Sequence, residues 1–190
     1  MKLKRFGGLF LGLVVCFVLS VLFSPAYGSK GLPPGTTLAE FSMDVPESAE
    51  ALEYLGLKEG KTFTLSQISG KLVLVEFYSM YCPVCQRQAP RTNKLYKFIQ
   101  DDPVLNKDIK VIGVGLTNKQ KEIDIYKKTF RVKFPLFADP NKAIAEKTGI
   151  KDIPLTVLLD KKGKVLLSHL GVIEKMDDFI KEIREIHKKQ

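Results

Sequence analysis

The chain has 190 residues, 45% of them hydrophobic and 27% charged, with a formal net charge of +9. That length holds one ordinary domain plus a leader, and that balance excludes a disordered or low-complexity chain. The basic residues are scattered rather than gathered on one stretch with aromatics between them, which argues against nucleic acid as a partner.

In chain order, residues 1–28 read as a leader. A basic start (Lys2, Lys4, Arg5) precedes an apolar run from Phe6 to Phe23, and Ala26-Tyr27-Gly28 suits cleavage after Gly28. The run of 18 residues exceeds the usual signal core of about 7–15 and falls just short of the roughly 20 of a spanning helix. Residues 6–23 are therefore expected to act as a signal peptide or a membrane anchor. Either one exports the remainder to a periplasmic or otherwise extracytoplasmic space. Cys16 lies inside this run as an apolar filler.

Gly31 to Gly35, GLPPG, is expected to be mobile within a linker over 29–36, leaving 37–190 as the folded domain. The spacing predicts a short helix over 46–55, and KTFTLSQI (61–68) predicts an edge strand running into a turn. Lys71 to Tyr78 is a near-continuous apolar run, as suits a central strand covered on both faces. A helix is predicted over 86–100, interrupted at Pro90, followed by a second buried strand over 109–116. Then come a helix over 119–130, a short extended piece over 134–140, and a helix over 140–148 ended by Gly149. Two strands, 154–160 and 165–170, flank a tight turn containing Gly163 and form a β-hairpin. A helix over 175–188 closes the chain. The order implies an α/β domain with a mixed sheet, parallel crossovers first and an antiparallel hairpin last.

The exported part holds two thiols, Cys82 and Cys85. In an oxidising compartment they can pair only with each other or with another molecule's thiol. A staple closing so short a loop restrains the unfolded chain little, so a purely structural role is weak. Cys82 falls at a helix N-cap, where unpaired N–H groups and the helix dipole favour a thiolate. Pro83 at the first helical position costs no hydrogen bond. Cys85, one turn later and further inside, is placed to attack a mixed disulfide held on Cys82. Zinc would want four ligands, and His169 and His187 lie far apart in the sequence. Copper held by both thiols and His169 is an alternative, and His187 is expected to be solvated. Ser79, three before Cys82, raises a peroxidase of the peroxiredoxin kind, whose motif also carries a proline where this chain has Val75. Glu76 is the second informative residue. A carboxylate in a doubly covered strand is costly unless protonated, hydrated or paired, and burial would let it exchange protons near neutral pH.

Glu76 stands nine before Cys85, Pro90 five after it, and Ile153-Pro154-Leu155-Thr156 opens a later strand. In these residues the chain resembles the thioredoxin superfamily, in which an acid, a helix-kinking proline and a cis-proline take those places. Tyr81 replaces the tryptophan common before the first cysteine. Within the superfamily the chain is most similar to exported TlpA/ResA/CcmG-type proteins. It shares an export leader and an added helix-bearing segment, about 117–148, ahead of the proline strand, and it has glutamate rather than thioredoxin's aspartate at 76. The resemblance spans about 60–187, with 36–59 matching less clearly.

It implies a thioredoxin-like fold, a mixed central sheet flanked by helices, and an extracytoplasmic protein thiol–disulfide oxidoreductase without metal or other cofactor. By the same resemblance Cys82 attacks, Cys85 resolves, the two form the redox-active disulfide, and Glu76 relays a proton. Tyr81, Pro83, Ile153 and Pro154 would contact substrate. Clients would be proteins with cysteine disulfides, the haem-attachment cysteines of c-type cytochromes among them, and a membrane thiol carrier would supply electrons. Pro83-Val84 offers no histidine to stabilise the thiolate, which argues against a strong oxidant and for a reductase.

Overall fold

The structure is a computed structural model and describes residues 31–190. The leader expected over residues 1–28, with its anchor run and Cys16, lies outside the described residues. Among the described residues no helix is long and apolar enough to cross a membrane.

The first elements form a small layer of their own. Strands β1 (Ser42–Asp44) and β2 (Thr62–Thr64) pair antiparallel as a separate two-stranded sheet. Helix α1 (Ala49–Leu55) lies between them in sequence. It starts three residues later than predicted, where Ser48 Oγ accepts the Ala51 N–H, and stops at Gly56 in the left-handed conformation. The strand expected at 61–68 is thus cut to three residues and edges this small sheet, because Leu65–Gln67 turn into a 3-10 helix.

The main sheet is built outward from β3 (Leu72–Tyr78), every residue of which is buried. On one side β3 pairs in parallel with β4 (Ile109–Leu116), which pairs in parallel with edge strand β5 (Leu136–Asp139). On the other side it pairs antiparallel with β6 (Leu155–Asp160), which forms the predicted hairpin with edge strand β7 (Val165–Leu170). The parallel pairing comes first and the antiparallel hairpin last, as the order of elements predicts.

Successive β3 side chains alternate between faces, so one apolar run serves two cores. Val73, Val75 and Phe77 pack with Phe41, Phe63 and Phe137 under the β1–β2 layer. Leu72, Leu74 and Tyr78 pack on the other side against α2 (Pro83–Asp101) and the last helix. The α2 helix runs unbroken through Pro90, where the sequence predicts an interruption. A short α3 (Pro103–Asp108) follows that the periodicity does not reveal; Asp102 Oδ1 accepts the N–H groups of Val104 and Leu105 at 3.0 and 3.1 Å and starts it. Then come α4 (Gln120–Phe130), α5 (Ala143–Thr148) and α6 (Met176–His187).

Two expectations fail for reasons of hydrogen bonding. The segment read as a mobile linker lies along the β6–β7 hairpin: Gly35 N–H donates to the Val165 carbonyl at 2.8 Å, and Ser168 Oγ donates to Leu32 O at 2.7 Å. His187 is not a solvated surface group. Its Nε2 lies 2.8 Å from Asp108 Oδ2, which also receives Lys71 Nζ at 3.1 Å. These partners hold the Asp108 carboxyl below its ordinary range.

On β4, Tyr54 Oη of α1 accepts the Val111 N–H at 2.8 Å, while β5 pairs only from Gly113 onward. Replacing Tyr54 by phenylalanine leaves that N–H unpaired, and should lower the free energy of unfolding by about 1–3 kcal/mol. Urea denaturation of the two proteins measures this, with an unchanged midpoint as the contrary result.

Candidate active site

The carboxyl end of β3 runs into the loop Ser79–Tyr81 and then into α2, whose N-cap is Cys82. Two side chains from different elements fix this loop. Asn118 Oδ1, buried after β4, accepts the Met80 N–H at 2.9 Å, and Gln86 Nε2 donates to Met80 O at 2.8 Å. Tyr81 stays 65% exposed, with Oη donating to Glu122 Oε1 of α4 at 2.5 Å. Ser79 takes part through its backbone, its carbonyl accepting the Cys82 N–H at 3.1 Å, and its Oγ accepts the Tyr81 N–H at 3.4 Å.

The two thiols differ sharply in environment. Cys82 is partly exposed, and its sulfur accepts the Cys85 N–H at 3.3 Å, one of the free donors of the first helical turn. It also lies 3.9 Å from the carbonyl oxygen of Ile153. The Ile153–Pro154 peptide bond is cis, and the buried Pro154 sits directly ahead of β6. Pro83 occupies the first turn of α2 and is exposed. Cys85 is fully buried, and that burial, reinforced by its hydrogen-bonding contact with Cys82, pushes its thiol well above the ordinary range. The structure thus brings Cys82, Cys85, Ile153 and Pro154 together, with Tyr81 and Pro83 on the surface beside them.

Glu76 lies on β3 on the same face as Leu74 and Tyr78, 2% exposed. Burial pushes its carboxyl up from 4.5 to about 7, opposed by a hydrogen bond with Thr92. Its charge in turn raises the Cys85 thiol, so the two groups interact through a low-dielectric interior. Thr92 is itself held by Gln88, whose Nε2 donates to its hydroxyl at 3.1 Å and whose Oε1 accepts the Ile173 N–H at 2.9 Å. Across the sheet, Thr156 is the register partner of Glu76. Glu76 Oε1, Thr156 Oγ1 and Tyr78 Oη are buried and make no hydrogen bond among the described residues. Tyr126 of α4 packs over this region, stacked on Tyr78 at 4.4 Å and donating to Cys85 O at 3.2 Å.

Gln88, Thr92, Thr156, Asn118 and Tyr126 escape the sequence reading. Gln88 and Thr92 carried a signal, since they follow Cys85 by three and seven residues and so share its helical face. Polar groups on a buried face are the informative exception. Thr156 and Asn118 become visible only with the strand register. His169 of the copper alternative pairs with Thr156 in register, but its Nε2 lies 3.0 Å from Val172 O. Among the described residues no three His, Cys, Asp or Glu side chains gather as metal ligands.

One partly exposed thiol and one shielded thiol thus stand with the buried Glu76 about the middle strand of the sheet. A mixed sheet that delivers these groups to the carboxyl end of its middle strand makes the protein a thioredoxin-like thiol–disulfide oxidoreductase.

The chain belongs to the AhpC/TSA family, whose model matches residues 35–168. That match includes β1, α1 and β2, so the family domain begins well before residue 60, taking in the stretch 36–59 whose resemblance is less clear in the sequence. The chain is 27% identical over 168 residues to the thiol-disulfide oxidoreductase ResA of Bacillus cereus, covering 87% of this chain and 93% of the relative. It is 25% identical over 130 residues to ResA of Halalkalibacterium halodurans, covering 68% and 70%. Its fold is that of a provisionally named thiol:disulfide interchange protein DsbE of Chlorobium tepidum, with a TM-score of 0.62 at 21% identity, covering 82% and 99%.

Proposed function

We propose that the protein is an extracytoplasmic reductase of client-protein disulfides working by dithiol exchange at Cys82 and Cys85. The observation that carries this reading is the asymmetry of the pair: Cys82 is partly exposed at a helix N-terminus, while Cys85 is buried with Glu76 acting on it. In the first step Cys82 thiolate attacks one sulfur of the client disulfide. A Cys82–client disulfide forms and the other client sulfur leaves as thiolate. In the second, Cys85 gives its proton to the Glu76 carboxylate and attacks Cys82 Sγ. The client's remaining thiolate leaves and takes up a proton, and the protein is left with a Cys82–Cys85 disulfide.

Glu76 suits the proton step because a group near pH 7 exists in both forms under working conditions. Ile153, with its carbonyl facing Cys82, and Pro154 would hold the client backbone, and Tyr81 and Pro83 would form the rim it meets. Residues 1–28 would export or anchor the chain, leaving the domain over 37–190 on the outer side, where a membrane thiol carrier re-reduces it. Haem-attachment cysteines of c-type cytochromes are clients of suitable chemistry.

The direction of electron flow is tested by the reduction potential of the Cys82–Cys85 couple, equilibrated against glutathione or dithiothreitol buffers. A reductase should lie near thioredoxin's value of about −270 mV, whereas a value near about −120 mV marks a strong oxidant and overturns the reading. Turnover of hydrogen peroxide faster than that of a protein disulfide would favour a peroxidase instead, and stoichiometric copper binding without disulfide exchange a metal carrier.

A further inference from the structure

Helix α2 buries two polar side chains that the exchange steps themselves do not use, Gln88 and Thr92. A polar group in an apolar interior is costly unless its hydrogen bonds are met, and here they are met in one direction only. The Ile173 N–H can only donate, and it donates to Gln88 Oε1 at 2.9 Å. That contact fixes which end of the amide is oxygen. The other end, Nε2, is therefore a donor, and it donates to Thr92 Oγ1 at 3.1 Å.

With its oxygen accepting from Gln88, the Thr92 hydroxyl is left to donate. One acceptor is the Gln88 carbonyl, at 3.5 Å beyond the ordinary range of an O–H···O bond. The other is the Glu76 carboxyl, which a bond from Thr92 favours in its ionised form. The far end of the chain is also held. Arg91 Nε donates to Ile173 O at 3.1 Å, and Arg91 pairs with the exposed Glu174 at 2.7 Å.

The other groups about Glu76 are of a different kind. Cys85 from α2, Tyr78 on β3 and Tyr126 from α4 are all raised by burial and stay neutral near pH 7. Strand β6 brings Thr156, and β7 brings His169 beyond it in register, its Nε2 3.0 Å from Val172 O. Helix α6 brings Phe179 and Ile183 to this core. Among the described residues, burial and Thr92 are what act on the carboxyl, in opposite directions.

We propose that Gln88 and Thr92 are positioning residues that carry the donor polarity of the Ile173 N–H, bond by bond, to Glu76 and ready it to take the Cys85 proton. Its last clause rests on the disulfide-exchange reading above; the direction of the chain does not. Thr92 gives up no proton. Cys85 loses one and Glu76 gains it, while the Thr92 hydroxyl favours the carboxylate beforehand. Without that hydroxyl, or with it turned to accept, burial acts unopposed and Glu76 stays neutral to higher pH.

The test titrates Glu76 in the reduced full chain by carbon-13 NMR of its carboxyl carbon, assigned by its absence from Glu76→Gln. The wild-type midpoint should fall near pH 7. Thr92→Val keeps the shape without the hydroxyl and should raise the midpoint by about one pH unit, the scale of one lost hydrogen bond to a carboxylate. Thr92→Ser, which restores the hydroxyl, should return it to the wild-type value. Gln88→Leu should raise it as well, because Thr92 is then free to turn. An unmoved midpoint in Thr92→Val or in Gln88→Leu overturns the proposal, as does a serine variant displaced as far as valine. Release of client from a preformed Cys82 mixed disulfide should follow the same midpoints. Release that ignores them while the NMR midpoints move would leave the chain standing and remove Glu76 from the exchange step.

Discussion

Cys85→Ser should accumulate a covalent complex with its client, while Cys82→Ser should form none and lose exchange by on the order of a thousandfold or more. The opposite outcomes follow from the environments of two sulfurs one helical turn apart. Cys82 is partly exposed and its sulfur already receives a backbone N–H, so it can meet a client disulfide. Cys85 is fully buried with its thiol pushed up, and so it can neither reach a protein disulfide nor offer much thiolate to one. Serine at 85 cannot resolve the intermediate, and the client stays on Cys82. Non-reducing electrophoresis after mixing each variant with an oxidised client separates the cases. A trapped complex on Cys82→Ser instead would reverse the assignment of attacking and resolving thiols.

Most of the sheet was legible because its strands carry their burial in their composition. Lys71 to Tyr78 reads as a doubly covered strand and is one, and the turn at Gly163 announces the β6–β7 hairpin. What stayed hidden was determined by partners rather than by pattern. Three-residue β1 has no periodicity to read and exists because Met43 pairs with Phe63 of β2. The Gly31–Gly35 stretch has a linker's composition, yet it is fastened by bonds to Val165 and Ser168, 130 and 136 residues away from their partners Gly35 and Leu32. Pro90 carries no N–H and marks an interruption in the sequence pattern of α2, but the surrounding helix continues through it. At the site, spacing alone picked out Cys82, Cys85 and Glu76. Thr156 beside Glu76, and Asn118 beneath Met80, depend on long-range register and could not be read from local sequence.

Glu76→Gln should stabilise the fold in alkali while slowing the resolving step, and the two effects should separate with pH. The folded-state carboxyl is raised from 4.5 to about 7 by burial. Its neutral form is therefore the one the fold favours, and the stability it contributes is complete below about pH 4.5 and lost as pH rises through about 7. A shift of this size corresponds to about 3 kcal/mol between the two ends of that window. Glutamine keeps the shape without the charge, so urea unfolding should show the variant gaining on the wild type from pH 5 to pH 8 by an amount approaching that figure. A stability difference that does not change with pH would mean that Glu76 does not titrate in this range.

The kinetic half runs the other way. In the wild type, release of client from a preformed Cys82 mixed disulfide should accelerate as Glu76 ionises, with a midpoint near pH 7, because only the carboxylate can accept the Cys85 proton. In the glutamine variant that midpoint should vanish and release should wait for hydroxide to deprotonate a buried, high-pKa thiol. Persistence of the same midpoint in the variant would assign the proton to another group. Glu76 lies one residue from Phe77 and two from Tyr78 on the fully buried β3, on the face that packs with the buried Cys85, so the burial that weakens the fold as the carboxyl ionises is the same burial that would let it exchange a proton with that thiol near pH 7.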